Sequence, residues 1–428
     1  MFQPLRAKTR TPWEKRLVLA VAVGLAVVSA AWVLIRYPGG QGDFAVYRAG
    51  ARIVLDGGEL YRNPVWSDLR FTYPPFAAVL LAPFALLSYA TGSWLFTALS
   101  VVALGLALAV VFAVLNPPGH RLAWVGAALP LVLLLEPVRS TFGYGQINLL
   151  LMALVAVDCL VRRPRWPRGA LVGIAAAIKL TPLAFVLFFL LNRDRRAALT
   201  SLATFACGAL VGWLATPANS LDYWTSAIFD TRRIGALDYV GNESLRGVLA
   251  KAGILSPAMQ VSVWAVGCLA VVAGTAVGMR RALLRNRTGA ALVLNALAAL
   301  LVSPISWSHH WVWLVPAVLV YADLGVRTRR WTCGCLAGAG VLVMFVSSLD
   351  GVGGTVLGAG GYFWFALAVL IITAFPILER AEQPRGDRQR DGEDAYPVLI
   401  SSAVQCSREL RRDGKRAGVG GRGRGADG

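Results

Sequence analysis

Residues 75–115 read PFAAVLLAPFALLSYATGSWLFTALSVVALGLALAVVFAVL, without one Asp, Glu, Lys or Arg. About 20 apolar residues cross a bilayer core as a helix, so this stretch alone suffices for two crossings. Five others are equally free of charge: 17–35, 197–221, 252–279, 331–349 and 351–378. Lipid offers no partners for backbone polar groups, so the expected form is helix throughout. The expected architecture is an all-α, polytopic membrane protein with 10 to 13 membrane segments.

The charges are confined to short clusters. The 428 residues are 57% hydrophobic and 15% charged, with 42 Lys and Arg against 23 Asp and Glu, a formal charge of +19. In a soluble chain that excess suggests nucleic acid. Here the basic clusters abut apolar runs and read as topology signals, so no nucleic-acid partner is expected. They occupy residues 1–16, Arg162 to Arg168, Arg193 to Arg196, Arg280 to Arg287 and Arg327 to Arg330, all assigned to the cytoplasm. The chain then divides into a cytoplasmic N-terminus (1–16), a membrane domain (17–378) and a disordered Arg/Gly/Asp-rich cytoplasmic tail (379–428). Its largest outside loops are 36–73 and 216–257, and a Gly-rich turn covers 351–361. Residues 169–191, interrupted by Lys179 and Pro182, read as a short helical hairpin entering from the cytoplasm. Parity among the early spans requires one broken or re-entrant piece, marked by Pro83 or Pro130. The six cysteines form no CxxC pair, and neither a zinc site nor a structural disulfide is implied.

Ionisable groups in such a chain are costly unless paired or hydrated, and each is a functional suspect. Asp43 follows the first span, in Gly42-Asp43-Phe44-Ala45-Val46-Tyr47. A carboxylate there is placed to act as a general base toward a hydroxyl, or is simply solvated or paired with Arg36 or Arg48. His309 and His310, two of three histidines, stand in Ser303-Pro304-Ile305-Ser306-Trp307-Ser308-His309-His310-Trp311. Imidazoles can donate to a phosphate or a sugar; the adjacent Trp307 fits either an interfacial belt or a sugar-stacking face. Lys179, in Ala177-Ile178-Lys179-Leu180-Thr181-Pro182, either snorkels to the interface or meets a lipid phosphate. Tyr73, Arg139, Gln146, Asn148 and Asn242 are further candidates for contact with a substrate. Asn242, with its neighbours Glu243 and Ser244, equally fits a helix cap.

Taken in order, Asp-Phe-x-Val-Tyr, Tyr-Pro-Pro-Phe, Gly-Gln-Ile-Asn, Ile-Lys-Leu-Thr-Pro, Asn-Glu-Ser-Leu and Ser-Pro-Ile-Ser-Trp-Ser-His-His-Trp resemble the family 87 glycosyltransferases across residues 40–315. The resemblance implies a GT-C fold with a site facing the outside of the cell membrane. It also implies an α-1,2-mannosyltransferase activity that uses polyprenyl-phosphate-mannose as donor, with no cofactor or metal. The acceptor would be a cell-envelope glycolipid such as a phosphatidylinositol mannoside, lipomannan or lipoarabinomannan. Asp43 falls at the position of the acidic residue that serves the family as catalytic base, and His309 or His310 at that of a required histidine. Related members often carry Asp-Leu-His-Val-Tyr where this chain has Ala45 in place of the histidine. A lipid or solute transporter is the main alternative for so many helices.

Overall fold

A computed structural model describes residues 12–349 and 360–374. The N-terminal residues 1–11, most of the Gly-rich turn and the tail from 379 lie outside the described residues. Among the described residues the fold is helical, with only two isolated bridges, Trp66 with Leu69 and Asn242 with Trp307.

The chain enters through α1 (Pro12–Arg36) and turns at Gly39 into a short helix, α2 (Gly42–Leu55). The uncharged run 75–115 does not make two spans. Pro75 and Pro83 each start a new short helix, α3 (Pro75–Leu80) and α4 (Ala82–Leu86), and Ser88 then caps the 27-residue α5 (Tyr89–Leu115) by accepting from Thr91 N. One break was expected, at Pro83 or Pro130, and the helices are interrupted near each of the two. Pro83 falls at the α3–α4 interruption. Pro130 sits inside α6 (Arg121–Val132), which bends by 78° into α7 (Glu136–Tyr144).

The middle of the chain continues with α8 (Asn148–Leu160), α9 (Ala170–Ile178), a 3-10 turn (Thr181–Phe185), α10 (Val186–Leu191) and α11 (Arg195–Ala215). Next come α12 (Pro217–Thr225) and α13 (Leu245–Ala252) in the loop 216–257, and then α14 (Pro257–Leu284). The last helices are α15 (Thr288–Val302), α16 (Leu314–Thr328, after a 3-10 turn at Ser308–Trp313), α17 (Trp331–Leu349) and α18 (Gly361–Ala374). Five helices are long and apolar enough to span a membrane, the bent α6–α7 pair makes a sixth, and five further apolar helices are shorter.

The surface has the inverted polarity of a lipid-facing protein. Val28 on α1 is 68% exposed and Leu269 on α14 is 72% exposed, whereas a soluble bundle turns polar residues outward. The two helices at the centre, α8 and α15, are buried along almost their whole length. Close helix approach is bought with small residues: a Cβ on Gly126 of α6 would collide with the Ala22 carbonyl of α1, and one on Gly173 of α9 with the Ser201 carbonyl of α11. The five described cysteines are unpaired.

Helix α5 gauges the bundle. Tyr89, at its start, hydrogen-bonds the backbone of Gln41. At its other end Arg327 donates to the carbonyls of Leu115 and Asn116. At about 1.5 Å per residue, roughly 40 Å separates the Asp43 end from the basic cluster at 327–330. The helical rise of α1 separates Asp43 from Lys15 and Arg16 in the same sense.

Candidate active site

The loop 36–73 contains an unforeseen helix, and it is this helix that positions Asp43. Phe44, Tyr47 and Ala51 recur at helical spacing and are buried. Phe44 packs among Phe84, Tyr89 and Phe96. The start of α2 is fastened by Gln41, a buried side chain with every strong partner satisfied. Its Nε2 donates to Thr97 Oγ1 (3.0 Å) and the Phe142 carbonyl (2.9 Å), and its Oε1 accepts from Ser93 Oγ (2.7 Å). One amide therefore ties α2 to α5 and α7 and leaves Asp43 in the first turn.

Around Asp43 the polar groups interlock. Tyr47 Oη lies 2.8 Å from Tyr73 Oη, and the two phenols lie 3.0 and 3.2 Å from Gln146 Oε1. With its oxygen so occupied, Gln146 turns its amide nitrogen to Asp43 and donates to the carboxylate. The turn that delivers Gln146 depends on Gly145 at φ +68, where a Cβ would strike Gln41 and Phe44. Burial pushes the Asp43 carboxyl up to about 6, partly offset by the Gln146 hydrogen bond and the positive charge of Lys179. It has no ion pair with Arg36 or Arg48; Arg48 donates to the Leu87 carbonyl instead.

Lys179 does not snorkel. Helix α9 stops at Ile178, Lys179 takes an extended backbone (φ −146, ψ 129), and Pro182 opens the following 3-10 turn. The side chain points inward, where Nζ donates to Asn148 Oδ1 (3.2 Å) and lies 5.5 Å from the Tyr73 ring centre. Lys179 also lines a groove enclosing about 570 Å³ of empty space, part of it open at the mouth. The groove walls are apolar, with Leu151, Pro182, Phe185 and Leu300 among them, and its polar groups include Asn148, Ser303, Ser306 and His310. The Lys179 cation thus stands between a half-buried carboxylate and an apolar groove.

The histidines divide. His310 lines the groove, and its Nδ1 accepts from Trp307 N (3.1 Å), which leaves Nε2 to carry the proton. His309 is buried with its ring against Tyr144 (5.3 Å). Its carbonyl accepts from Thr141 Oγ1 and Asn148 Nδ2, and its Nε2 has no partner. Trp307 stacks on His310 at an interplanar angle of 11°.

Asn242 is fully buried, and its amide is spent on backbone: it donates to the Leu237 and Pro304 carbonyls and accepts from Ser244 N and Ser306 N. It clasps the segment carrying the histidines and is not among the residues that line the groove. The adjacent Glu243 caps the start of α18, accepting from Phe363 N, and burial pushes its carboxyl up to about 7. Ser244 caps α13 through Gly247 N. Arg139 lies apart from the groove, exposed on α7 and bonded to Tyr37. The sequence reading missed Gln41, Tyr47 and Tyr144; only the aromatic spacing of Phe44 and Tyr47 gave a signal for any of them.

A helical membrane domain in which a carboxylate, a lysine and an apolar groove converge at one end fits a polytopic glycosyltransferase acting on lipid-linked sugars. The family model for "Glycosyltransferase family 87" matches residues 71–304, and the chain belongs to glycosyltransferase family 87. The matched span begins well after Asp43 and ends just before the histidine pair. A polyprenol-phosphate-mannose-dependent alpha-(1-2)-phosphatidylinositol mannoside mannosyltransferase of Mycobacterium tuberculosis is 38% identical, with 86% of this chain and 92% of that protein covered. Its namesake in Mycolicibacterium smegmatis is also 38% identical, over 84% of this chain and 89% of the relative. A pentamannoside-directed mannosyltransferase of M. smegmatis is 35% identical, over 71% and 75%. No solved structure matches.

Proposed function

We propose that the chain transfers mannose from polyprenyl-phosphate-mannose to the 2-hydroxyl of a mannose on a phosphatidylinositol mannoside or a related cell-envelope glycolipid. The site faces away from the cytoplasm, as the position of the basic clusters at the opposite end of the bundle favours. The observation that carries this reading is the placement of Lys179 between Asp43 and the apolar groove.

In this reading the isoprenoid lies in the groove and its phosphate meets Lys179 Nζ and the His310 Nε2–H. Asp43 takes the proton of the acceptor hydroxyl as its oxygen attacks the anomeric carbon. The bond to the phosphate oxygen breaks on the opposite face, so a β-linked donor gives an α-linked product. The leaving group departs as polyprenyl phosphate, with its charge held by Lys179 rather than by proton transfer. Gln146, Tyr47 and Tyr73 hold the carboxylate in line, and Asn148 holds the lysine.

Purified chain in nanodiscs, given labelled polyprenyl-phosphate-mannose and a phosphatidylinositol mannoside, is expected to yield a product that an α-1,2-mannosidase trims back. Movement of the donor across the bilayer with no product would support a transporter instead. The raised carboxyl gives a second check. The base works only when ionised, so on the acid side kcat/KM is expected to be halved near pH 6 and about tenfold lower for each further unit of acid. A midpoint near 4, the ordinary carboxylate value, would remove Asp43 from the role of base.

A further inference from the structure

The arginines at the Asp43 end of the bundle are mostly accounted for. Arg52 pairs with Asp56, Arg62 with Glu59, and Arg232 with Asp230. Arg36 and Arg139 are different. Arg36 is the last residue of α1, and its guanidinium lies 5.6 Å from the centre of the Tyr37 ring. Arg139 approaches the same residue from α7 and hydrogen-bonds its hydroxyl. Both guanidinium-bearing residues are exposed, and among the described residues no carboxylate forms an ion pair with either. The nearest acid in sequence, Glu136, lies one turn before Arg139 on α7 and accepts instead from Tyr362 Oη at 2.7 Å.

The phenol between them is fixed. Tyr37 stacks on Phe142 at 5.8 Å and meets the edge of Trp32 at 5.7 Å. The carbonyl of Phe142 is the one that accepts from Gln41, the residue that starts α2. The same contacts therefore set both Asp43 and the two guanidiniums. Their height is that of a membrane surface, since α1 ends there with Trp32 and Ile35 still turned outward.

We propose that Arg36, Tyr37 and Arg139 form a subsite for the phosphodiester of the acceptor lipid, which holds the headgroup while its sugar reaches Asp43. The inference rests on the mannosyltransferase reading above. Planar guanidiniums suit a phosphodiester, whose charge is permanent and whose two free oxygens accept hydrogen bonds side by side. A phosphatidylinositol-based acceptor carries that group at the bilayer surface, some sugar lengths from the reacting hydroxyl.

The test compares two acceptors on the full chain in phosphatidylcholine nanodiscs: an anionic phosphatidylinositol mannoside and neutral octyl α-mannoside. In the double variant Arg36→Gln/Arg139→Gln, the ratio of kcat/KM for the anionic to the neutral acceptor is expected to fall at least tenfold, chiefly through KM. The double Lys variant should recover part of it. An unchanged ratio would overturn the proposal. The unaltered chain offers an independent measurement: short-chain phosphatidylinositol should inhibit transfer to octyl mannoside, and short-chain phosphatidylcholine should not. Equal inhibition by the two would also overturn it. So would a response to bulk phosphatidylglycerol in the nanodisc that the Gln variant abolishes while the acceptor ratio holds, since the ligand would then be surrounding lipid. Failure of the unaltered chain to mannosylate either acceptor strikes at the mannosyltransferase reading itself.

Discussion

Asp43→Asn is expected to lower kcat by about 10³-fold while leaving the KM for the donor within a few-fold of its original value. The amide has the shape of the carboxylate and still accepts from Gln146, so the packing around α2 is retained. What disappears is the capacity to take a proton in the transition state, which is worth 10²–10⁴-fold for a positioned base. Because the donor binds on the far side of Lys179, its affinity should change little. Steady-state assays with each substrate varied in turn would measure both constants. Retention of a tenth of the activity would mean that another group accepts the proton.

The second large effect is expected at Lys179. Replacement by Gln removes the cation facing the leaving phosphate and leaves a side chain still able to donate to Asn148 Oδ1, its partner at 3.2 Å. Charge that develops on a departing group in a water-poor site depends on preorganised partners, and the loss of one costs on the order of 10²–10³-fold. The neutral variant should also raise the KM for the donor, because the donor phosphodiester is itself anionic. A fall in kcat alone, with donor affinity intact, would place the lysine against Asp43 only and not against phosphate. Lys179→Arg is a useful partner experiment, since it restores charge but not the compact shape that fits beside Tyr73.

Much of this arrangement was legible in the sequence, for definite reasons. The spans declare themselves because lipid tolerates few charges, and the break at Pro83 because proline cannot continue a helical ladder; Pro130 lies inside α6, a few residues before the bend. Asp43 and Lys179 attract attention because an ionisable group beside or within apolar segments is expensive. The failures have an equally physical origin. A span-sized stretch at 75–115 broke into α3, α4 and a single long helix because prolines and Ser88 reset the backbone, which composition alone does not register. The helix bearing Asp43 lay hidden in a segment of mixed polarity, although Phe44, Tyr47 and Ala51 share its buried face. Asn242 carried the residue type of a sugar ligand, but its amide is taken up by four backbone groups, two of them, at Pro304 and Ser306, distant in sequence. Gln41, the residue on which most of the geometry depends, looks like any other loop amide until Ser93, Thr97 and Phe142 are brought around it.

The bend between α6 and α7 bears on the bilayer as well as on the protein. Helix α6 has 12 residues and at about 1.5 Å each rises roughly 18 Å, against about 30 Å of hydrocarbon; α8 and α9 are also short. Lipid beside α6 has to thin, or water has to descend to meet its exposed carbonyls. Either way the bilayer is drawn down beside α6. A glycolipid could then sink its carbohydrate to the depth of chemistry without being lifted out of the leaflet, and an enzyme of this shape would extend a glycan by deforming the membrane rather than by extracting its substrate.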